Sequence, residues 1–308
     1  MLDYGNFERV FGSLSPFPYN RTTIQEADSY RRSLDGALFL DRVLAALGLP
    51  KARALYPPKS DANLRSLHHQ IISAGSVATL HKLSLLYYLL LDIDDLAPAH
   101  HDSKADSFAS SAGLPTKYQI LMKGLWYLDR QAFALAVEDL AHPTLLPEFA
   151  DDIITVLVRH ASKDGDYTLP LAYWHTVQPV LKSPAAVELL FEALSQSNVS
   201  EALRFSRTKP DGIREQLFRR LVIGVLEGTG NDHGADRAEE LASLPFDESE
   251  EQWFQDCLGS GEGKRVKAAR DTLLMRRIAM GDPVPTAGDQ GTWGVVMEAF
   301  KVGSGGRT

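Results

Sequence analysis

Residues Leu114 to Pro143 read LPTKYQILMKGLWYLDRQAFALAVEDLAHP. Pro115 suits a helix start, where its missing N–H would have no partner anyway. Tyr118, Leu121, Met122, Leu125 and Trp126 then recur at helical spacing. Asp129 interrupts the apolar pattern and is the expected cap of a second helix. That helix carries Phe133, Ala136, Val137 and Leu140 on one face, and His142-Pro143 stops it. The stretch therefore reads as a helical hairpin with one apolar seam. Ala132, Ala134, Ala136 and Ala141 would let the two backbones approach closely. Trp126, Leu125, Leu121 and Phe133 are expected inside, with Tyr127 and Lys123 off the seam. The hairpin holds no nucleophile–base pair, no metal-ligand set and no phosphate loop. Its expected chemistry is packing.

Downstream, the helical signal continues with clear caps. Ser183-Pro184 places Pro at a first helical position. Asn198 with Glu201, and Asp247 with Glu250, have the capping-box offset. The spacing predicts helices over 148–161, 169–181, 184–195, 199–206, 211–226, 234–243, 247–258 and 264–280. Upstream, it predicts helical structure from Ile24 to Leu47, stopped by Gly48. Tyr56-Pro57-Pro58 is a rigid connector. A helix capped by Asp61 runs through Leu64, Leu67, Ile71 and Ile72. Another, from Ser76 to Leu91, is apolar on nearly all sides, as helices buried between others are. Period-two alternation is almost absent. Hairpins in series without a strict repeat imply an all-α fold, an irregular α-solenoid-like stack.

Three segments depart from this pattern. Residues 1–23 form an irregular arm in which Ser and Pro punctuate Phe11, Phe17 and Tyr19. Residues 92–113 are rich in Ser, Ala and Asp and read as the longest internal loop, a candidate joint inside the helical domain of residues 24–280. Mobility is expected over 98–113. Residues 281–308 are a Gly- and Pro-rich linker with a short apolar segment. There Trp293, Val296, Met297 and Phe300 share one stripe of a helix. That stripe either caps the end of the stack or docks in a partner's groove.

Composition narrows the function. The chain has 308 residues, a net charge of −8 and 44% hydrophobic residues. An acidic balance argues against nucleic-acid binding by bulk charge. The single cysteine, Cys257, excludes an intrachain disulfide and suits a reducing compartment. The first residues have no basic and apolar leader pattern. The longest apolar run, Leu85 to Leu91, is far short of the roughly 20 residues of a membrane span.

The apparent chemical motifs fail on their ligands. Gly259-Ser260-Gly261-Glu262-Gly263-Lys264 resembles a phosphate loop, but Leu258 stands where the first Gly belongs and Arg265 where Ser or Thr would bind magnesium. A flexible connector is the reading. Asp92-Ile93-Asp94-Asp95 suggests calcium, but Ala97 and Ser103 replace the required Gly and Glu. A solvated acidic helix end is expected. The nine histidines are scattered, with no HExxH and no cysteine partner. No GxSxG elbow appears. No catalytic residue, cofactor-binding residue or metal ligand is assigned, and no enzyme activity is expected. Lys264, Arg265, Lys267, Arg270, Arg276 and Arg277 form a basic cluster. It reads either as a solvated face meeting an acidic protein or as a nucleic-acid face.

The stretch from Lys117 to Asp129, KYQILMKGLWYLD, resembles the signature of the ELYS-like family of nuclear pore assembly factors. Leu34-Asp35-Gly36-Ala37-Leu38-Phe39-Leu40-Asp41-Arg42 with Tyr56-Pro57-Pro58 is similar to the family's N-terminal part. Leu85-Leu86-Tyr87-Tyr88-Leu89-Leu90-Leu91-Asp92 is similar to the apolar helix before the signature. The resemblance spans residues 24–258. A chain of this length is similar to the short fungal members, expected to be little more than the helical domain, without the β-propeller and long tail of animal relatives. The resemblance implies a structural nucleoporin that binds the outer-ring Y-shaped subcomplex at the nuclear envelope. The implied partners are long-arm β-propeller and helical subunits. The AT-hook of chromatin-binding relatives is absent. The interaction candidates are Trp293, Val296, Met297, Phe300, Phe11, Phe17, Tyr19, Lys264, Arg265, Lys267 and Arg270. A general helical-repeat adaptor that binds a peptide on its concave face is the alternative, and a helical enzyme with an unrecognised site is the third reading.

Overall fold

A computed structural model describes residues 3–96, 103–228, 234–266 and 268–280. All its regular elements are helical, and the described residues contain no strand. Two compact units divide between Ala193 and Leu194. The first begins with α1 (Phe7–Phe11), α2 (Arg21–Ser33), α3 (Phe39–Ala46), α4 (Pro50–Arg53) and α5 (Asp61–Ser73). It continues with α6 (Thr79–Leu96), α7 (Lys104–Ala112), α8 (Thr116–Asp129), α9 (Phe133–Leu140), α10 (Ala150–Asp164) and α11 (Thr168–Val177). The boundary falls inside α12 (Pro184–Ser197).

Helix α8 sits centrally in the first unit and packs on α9, α6, α3 and α2. The α8–α9 hairpin is the one the sequence predicts. A glycine of α8 also meets α9 closely. A Cβ on Gly124 would lie 2.7 Å from Leu140 Cγ and 2.8 Å from its Cδ2. Ala136 is fully buried, whereas Ala134 faces outward. Helix α6 is the predicted all-round apolar helix, with every residue from Leu83 to Leu90 buried. The membrane question is answered for the described helices: none is long and apolar enough to cross a bilayer.

Two predicted features differ. The helical stretch from Ile24 to Leu47 is two helices, because Asp35 (φ 62°) and Gly36 (φ 77°) turn left-handed between them. Gly adopts that region at no steric cost, and Asp is among the few other residues that tolerate it. The loop expected over 92–113 contains α7, whose Ala105, Phe108, Ala109 and Ala112 are buried at helical spacing. Asp94 holds the start of α7, accepting from the Ser103 hydroxyl at 2.8 Å and from the Lys104 and Ala105 N–H groups at 3.0 Å. The described residues of 92–113 belong to the first unit. The expected mobility over 98–113 therefore meets a capped, packed helix from residue 104 onward, and 97–102 lie outside the described residues.

The second unit holds α13 (Val199–Arg207), α14 (Asp211–Glu227), α15 (Gly234–Ser243), α16 (Glu248–Gly259) and α17 (Ala269–Ala279). The predicted boundaries hold to within a few residues, except that 264–280 is a 3-10 turn, Glu262–Arg265, followed by α17. Helix α14 packs on α13, α15 and α16, and α17 on α15 and α16. Asn198 and Asp247 both cap, but the reciprocal box closes only at Asp247, and the cap expected of Asp61 is made by Ser60. Asn198 accepts from the Glu201 N–H at 2.8 Å. Asp247 and Glu250 exchange backbone N–H bonds at 3.0 Å.

Candidate functional site

Three carboxylates, Asp41, Asp92 and Asp129, lie in the interior of the first unit, and the last two bind elements far along the chain. Asp92 follows the apolar run of α6 and Asp129 is the last residue of α8. Their exposures are 0% and 3%. A buried carboxylate persists only where its lone pairs are filled, and here they are. Asp92 Oδ2 accepts from the phenols of Tyr19 (2.9 Å) and Tyr56 (2.6 Å). Its Oδ1 accepts from the Trp126 indole Nε1 (2.7 Å) and the Arg130 guanidinium (3.0 Å). Asp129 Oδ1 accepts from the Phe39 N–H (2.5 Å), and its Oδ2 from the Leu40 N–H (3.0 Å) and the Tyr88 phenol (2.7 Å).

Asp129 thus caps a helix, but not the one expected. The first N–H groups of α3 have no intrahelical partner, and Asp129 takes two of them from across the unit. The N-terminal partial charge of α3 favours a carboxylate there. Asp41 completes the cap from within, accepting the Leu38 N–H at 3.0 Å. The same Asp41 binds Arg31 Nε at 2.8 Å, and Arg31 Nη2 reaches the Tyr56 carbonyl at 3.1 Å. Helix α9 begins after Ala132 without a side-chain cap.

The protonation states follow from burial. Burial first, and the Asp92 charge second, raise Tyr19 and Tyr56 well above the ordinary phenol value, so both stay protonated and donate. Burial and then the Asp129 charge do the same to Tyr88. Burial pulls the Arg130 guanidinium down, but Asp92 foremost, with Tyr56 and Asp95, more than offsets this. Arg130 also bridges to Asp95 at 3.2 Å and lies over the Trp126 ring at 5.1 Å. Burial pushes the Asp129 carboxyl up to about 7, against the pull of the Leu40 and Phe39 N–H groups and the Tyr88 hydroxyl.

The arrangement joins α3, α6, α8, the segment bearing Tyr19 and the connector bearing Tyr56 through two side chains, and Arg31 ties α2 to it through Asp41. A cavity of about 20 Å³ lies beside it, bordered by Tyr19, Tyr56, Tyr88, Asp92 and Asp129. That is room for about one water. The hub positions elements; a substrate has no space in it.

The hub corrects the packing-only reading of the signature. Leu125 (0% exposed) and Phe133 are buried as expected, but Trp126 and Leu121 are only half-buried. From this border position the Trp126 N–H still reaches Asp92. The acidic run is not a solvated helix end either: Asp92 is fully enclosed, Asp94 caps α7 and Asp95 pairs with Arg130. The sequence does carry a signal for both hub carboxylates. Each stands directly after a run of large apolar residues, Leu89-Leu90-Leu91-Asp92 and Leu125-Trp126-Tyr127-Leu128-Asp129, where a charge cannot face water without exposing its neighbours.

The interaction candidates separate. Phe11 and Tyr19 are buried, at 1% and 4% exposure, which removes them as contact residues of the folded chain. The arm holding them contains α1, whose Phe7 and Phe11 rings meet His68 edge-on at 5.6 and 5.9 Å. His68 itself bonds the Tyr4 carbonyl at 3.0 Å. The arm is therefore a packed part of the unit, because three of its aromatics have partners inside. Phe17 is half-buried, 5.7 Å from Tyr19. Lys264, Arg265 and Arg270 are exposed, and Lys267 lies outside the described residues. Arg276 leaves the basic cluster: it is buried, bonded to Glu251 at 2.8 Å and to the Ala242 carbonyl at 2.9 Å. The glycine stretch before it is a compact turn rather than a flexible connector. Gly261 N–H bonds the Asp256 carbonyl at 2.7 Å, and a Cβ on Gly263 would meet Leu258 at 2.8 Å. Trp293, Val296, Met297 and Phe300 lie outside the described residues.

Comparison with known proteins bears on what this scaffold is for. Residues 37–261 match the family model described as ELYS, nuclear pore complex assembly. The chain is 36% identical over 162 residues to the protein ely5 of Schizosaccharomyces pombe, covering 51% of each. It is 26% identical over 204 residues to the protein ELYS of Homo sapiens, and 24% over 207 residues to that of Xenopus laevis. Each of these alignments covers 66% of this chain and 8% of the relative. The chain thus spans about half the length of the fission yeast relative and a small part of the vertebrate ones.

Proposed function

Because the chain belongs to the ELYS family of nuclear pore complex assembly, we propose that it is a structural nucleoporin that docks on the outer-ring Y-shaped subcomplex. The observation that carries this reading is the extent of the family match. Residues 37–261 take in α3, α6 and α8, the helices joined by Asp92 and Asp129. The matched stretch of this chain is thus a scaffold fixed by buried polar bonds, and a rigid scaffold serves binding by keeping its surfaces preorganised. The role needs no catalytic step and no cofactor. The partners in this reading are long-arm β-propeller and helical subunits, and the place is the nuclear envelope at the pore. The test is reconstitution of the full chain with isolated long-arm subunits, followed by size-exclusion chromatography. Co-elution at a defined stoichiometry supports the proposal. Separate elution at micromolar concentrations refutes it.

A further inference from the structure

Two loops at one end of α10 form a groove. The first, residues 142–149, joins α9 to α10; the second, residues 178–183, joins α11 to α12. Pro147, Phe149 and Val180 line the groove, with Glu148, Asp152 and Lys182 at its rim. Its volume is about 310 Å³, the small end of the range for ligand clefts.

The loops are built to hold this shape. Phe149 has φ 56° and Gln178 φ 47°, left-handed conformations that are outliers for such side chains. Backbone strain of that kind persists only where surrounding structure enforces it. Asp151 supplies part of the enforcement: its Oδ1 accepts from the Lys182 N–H at 2.9 Å and the Ser183 N–H at 3.0 Å. The second loop is thereby fastened to the first turn of α10. Yet the loops present aliphatic side chains to water. Leu146 is 77% exposed and Val180 82%, the two most exposed large hydrophobic residues among the described ones. A strained, fastened backbone that exposes apolar tips beside a groove has the character of a recognition surface.

Charge selects the occupant. Glu148, Asp151 and Asp152 line the groove against a single cation, Lys182. Asp151 is engaged by backbone donors, and Asp152 shares Arg42 at 3.3 Å with its side chain 45% exposed. Glu148 is exposed, and the groove as a whole is acidic. We propose that it receives a short segment of a partner protein in which an apolar side chain is flanked by Lys or Arg. The apolar side chain enters beside Val180 over Pro147 and Phe149, with Leu146 next along the same loop, and the basic residue meets Glu148 and Asp152. This deepens the scaffold reading by giving it a contact surface, and it does not require the partner to be an outer-ring subunit.

The test is selection of a random peptide library displayed on phage against the full chain, beside the variants Leu146→Asp with Val180→Asp and, separately, Glu148→Lys. Both altered aliphatics are exposed, so melting temperatures should match the parent. If the double variant melts early, Glu148→Lys alone carries the comparison. The expected result is enrichment of peptides with a Leu, Ile, Trp or Phe next to Lys or Arg. That enrichment should vanish on the double variant, and affinity should fall about 1.5-fold to fivefold on Glu148→Lys, the scale of an exposed ion pair. No enrichment, an acidic motif, or equal enrichment on all three proteins overturns the proposal. Enrichment seen only after truncation behind Asp289 would make the chain's own C-terminal segment the occupant and overturn it. A dimer by light scattering that Val180→Asp converts to a monomer would make the occupant a second copy and overturn it as well. Selection uses the free chain, so failure to co-elute with outer-ring subunits leaves this result standing, and an unenriched library sinks the groove whatever the co-elution shows.

Discussion

Asp92→Ala removes one acceptor and leaves four donors. Two of them, the phenols of Tyr19 and Tyr56, are buried at 4% and 8% exposure. Each orphaned buried donor costs roughly 1–3 kcal/mol. The Trp126 indole is only half-buried and can recruit solvent, and Arg130 keeps Asp95 at 3.2 Å. Loss of the buried charge also relieves its desolvation, which offsets part of the cost. The net expectation is about 4 kcal/mol, a large share of a typical stability of roughly 5–15 kcal/mol. For a unit of this size that lowers the melting temperature by about 8–16 °C. Tyr56→Phe alone deletes one donor and leaves Asp92 with three, so about 1 kcal/mol is expected. The decisive measurement is the cycle that combines them, read by urea unfolding with a circular-dichroism signal. In the Asp92→Ala background the Tyr56 hydroxyl is a liability, and Tyr56→Phe should be neutral or stabilising. If Tyr56→Phe costs the same in both backgrounds, the phenol and the carboxylate are not coupled and the hub reasoning fails.

Three further outcomes are expected. Gly124→Ala should destabilise by roughly 1–3 kcal/mol, the scale of overpacking, although Ala is the better helix former; a raised urea midpoint would show that α9 yields freely. Trp126→Ala should cost about 2 kcal/mol and Leu125→Ala more, roughly 2–5 kcal/mol for a fully buried side chain; thermal melts that reverse this order would contradict the half-buried placement of the indole. Asp129 has a carboxyl raised to about 7, so its protonated form is favoured in the fold. Its contribution is present below the ordinary carboxylate range and is lost as pH rises toward 7, because the unfolded chain releases that proton first. The stability lost in Asp129→Asn should therefore shrink between pH 5 and pH 8 in parallel urea titrations, and a loss that stays constant over that range would mean that the three donors hold the carboxylate ionised throughout.

Helices of the second unit were legible because their ends are written locally. Asn198 and Asp247 cap within three residues, and a capping box needs no tertiary information. Two stretches of the first unit were not. Leu34, Leu38 and Leu44 continue a helical period across the Asp35-Gly36 turn, so periodicity hides the break. In α7 the reverse holds: Ser, Ala and Asp look like loop, while Ala105, Phe108, Ala109 and Ala112 make a narrow apolar stripe. The hub was least legible, since pattern reading pairs neighbours and these carboxylates bind far along the chain. Asp129 was recognised as a cap from its residue type, and only its client was misassigned. The groove beside α10 depends on two left-handed residues, Phe149 and Gln178, that no propensity would place there.

The sequence distances inside the hub set the timing of folding. Tyr19 is 73 residues from Asp92, and Phe39 is 90 from Asp129. Helical proteins fold fast when their contacts are local, and long loop closures slow them. Here α6 and α8 can coil early, but each carries a carboxylate whose set of donors stays incomplete until the first forty residues dock. During synthesis those residues emerge first and must wait for the signature helix, 90 positions later, before α3 gains its cap. The first unit should consequently assemble in one late cooperative step, at a rate nearer that of a mixed fold than of a simple bundle. The buried polar bonds that fix its shape are also the ones that make it slow to form.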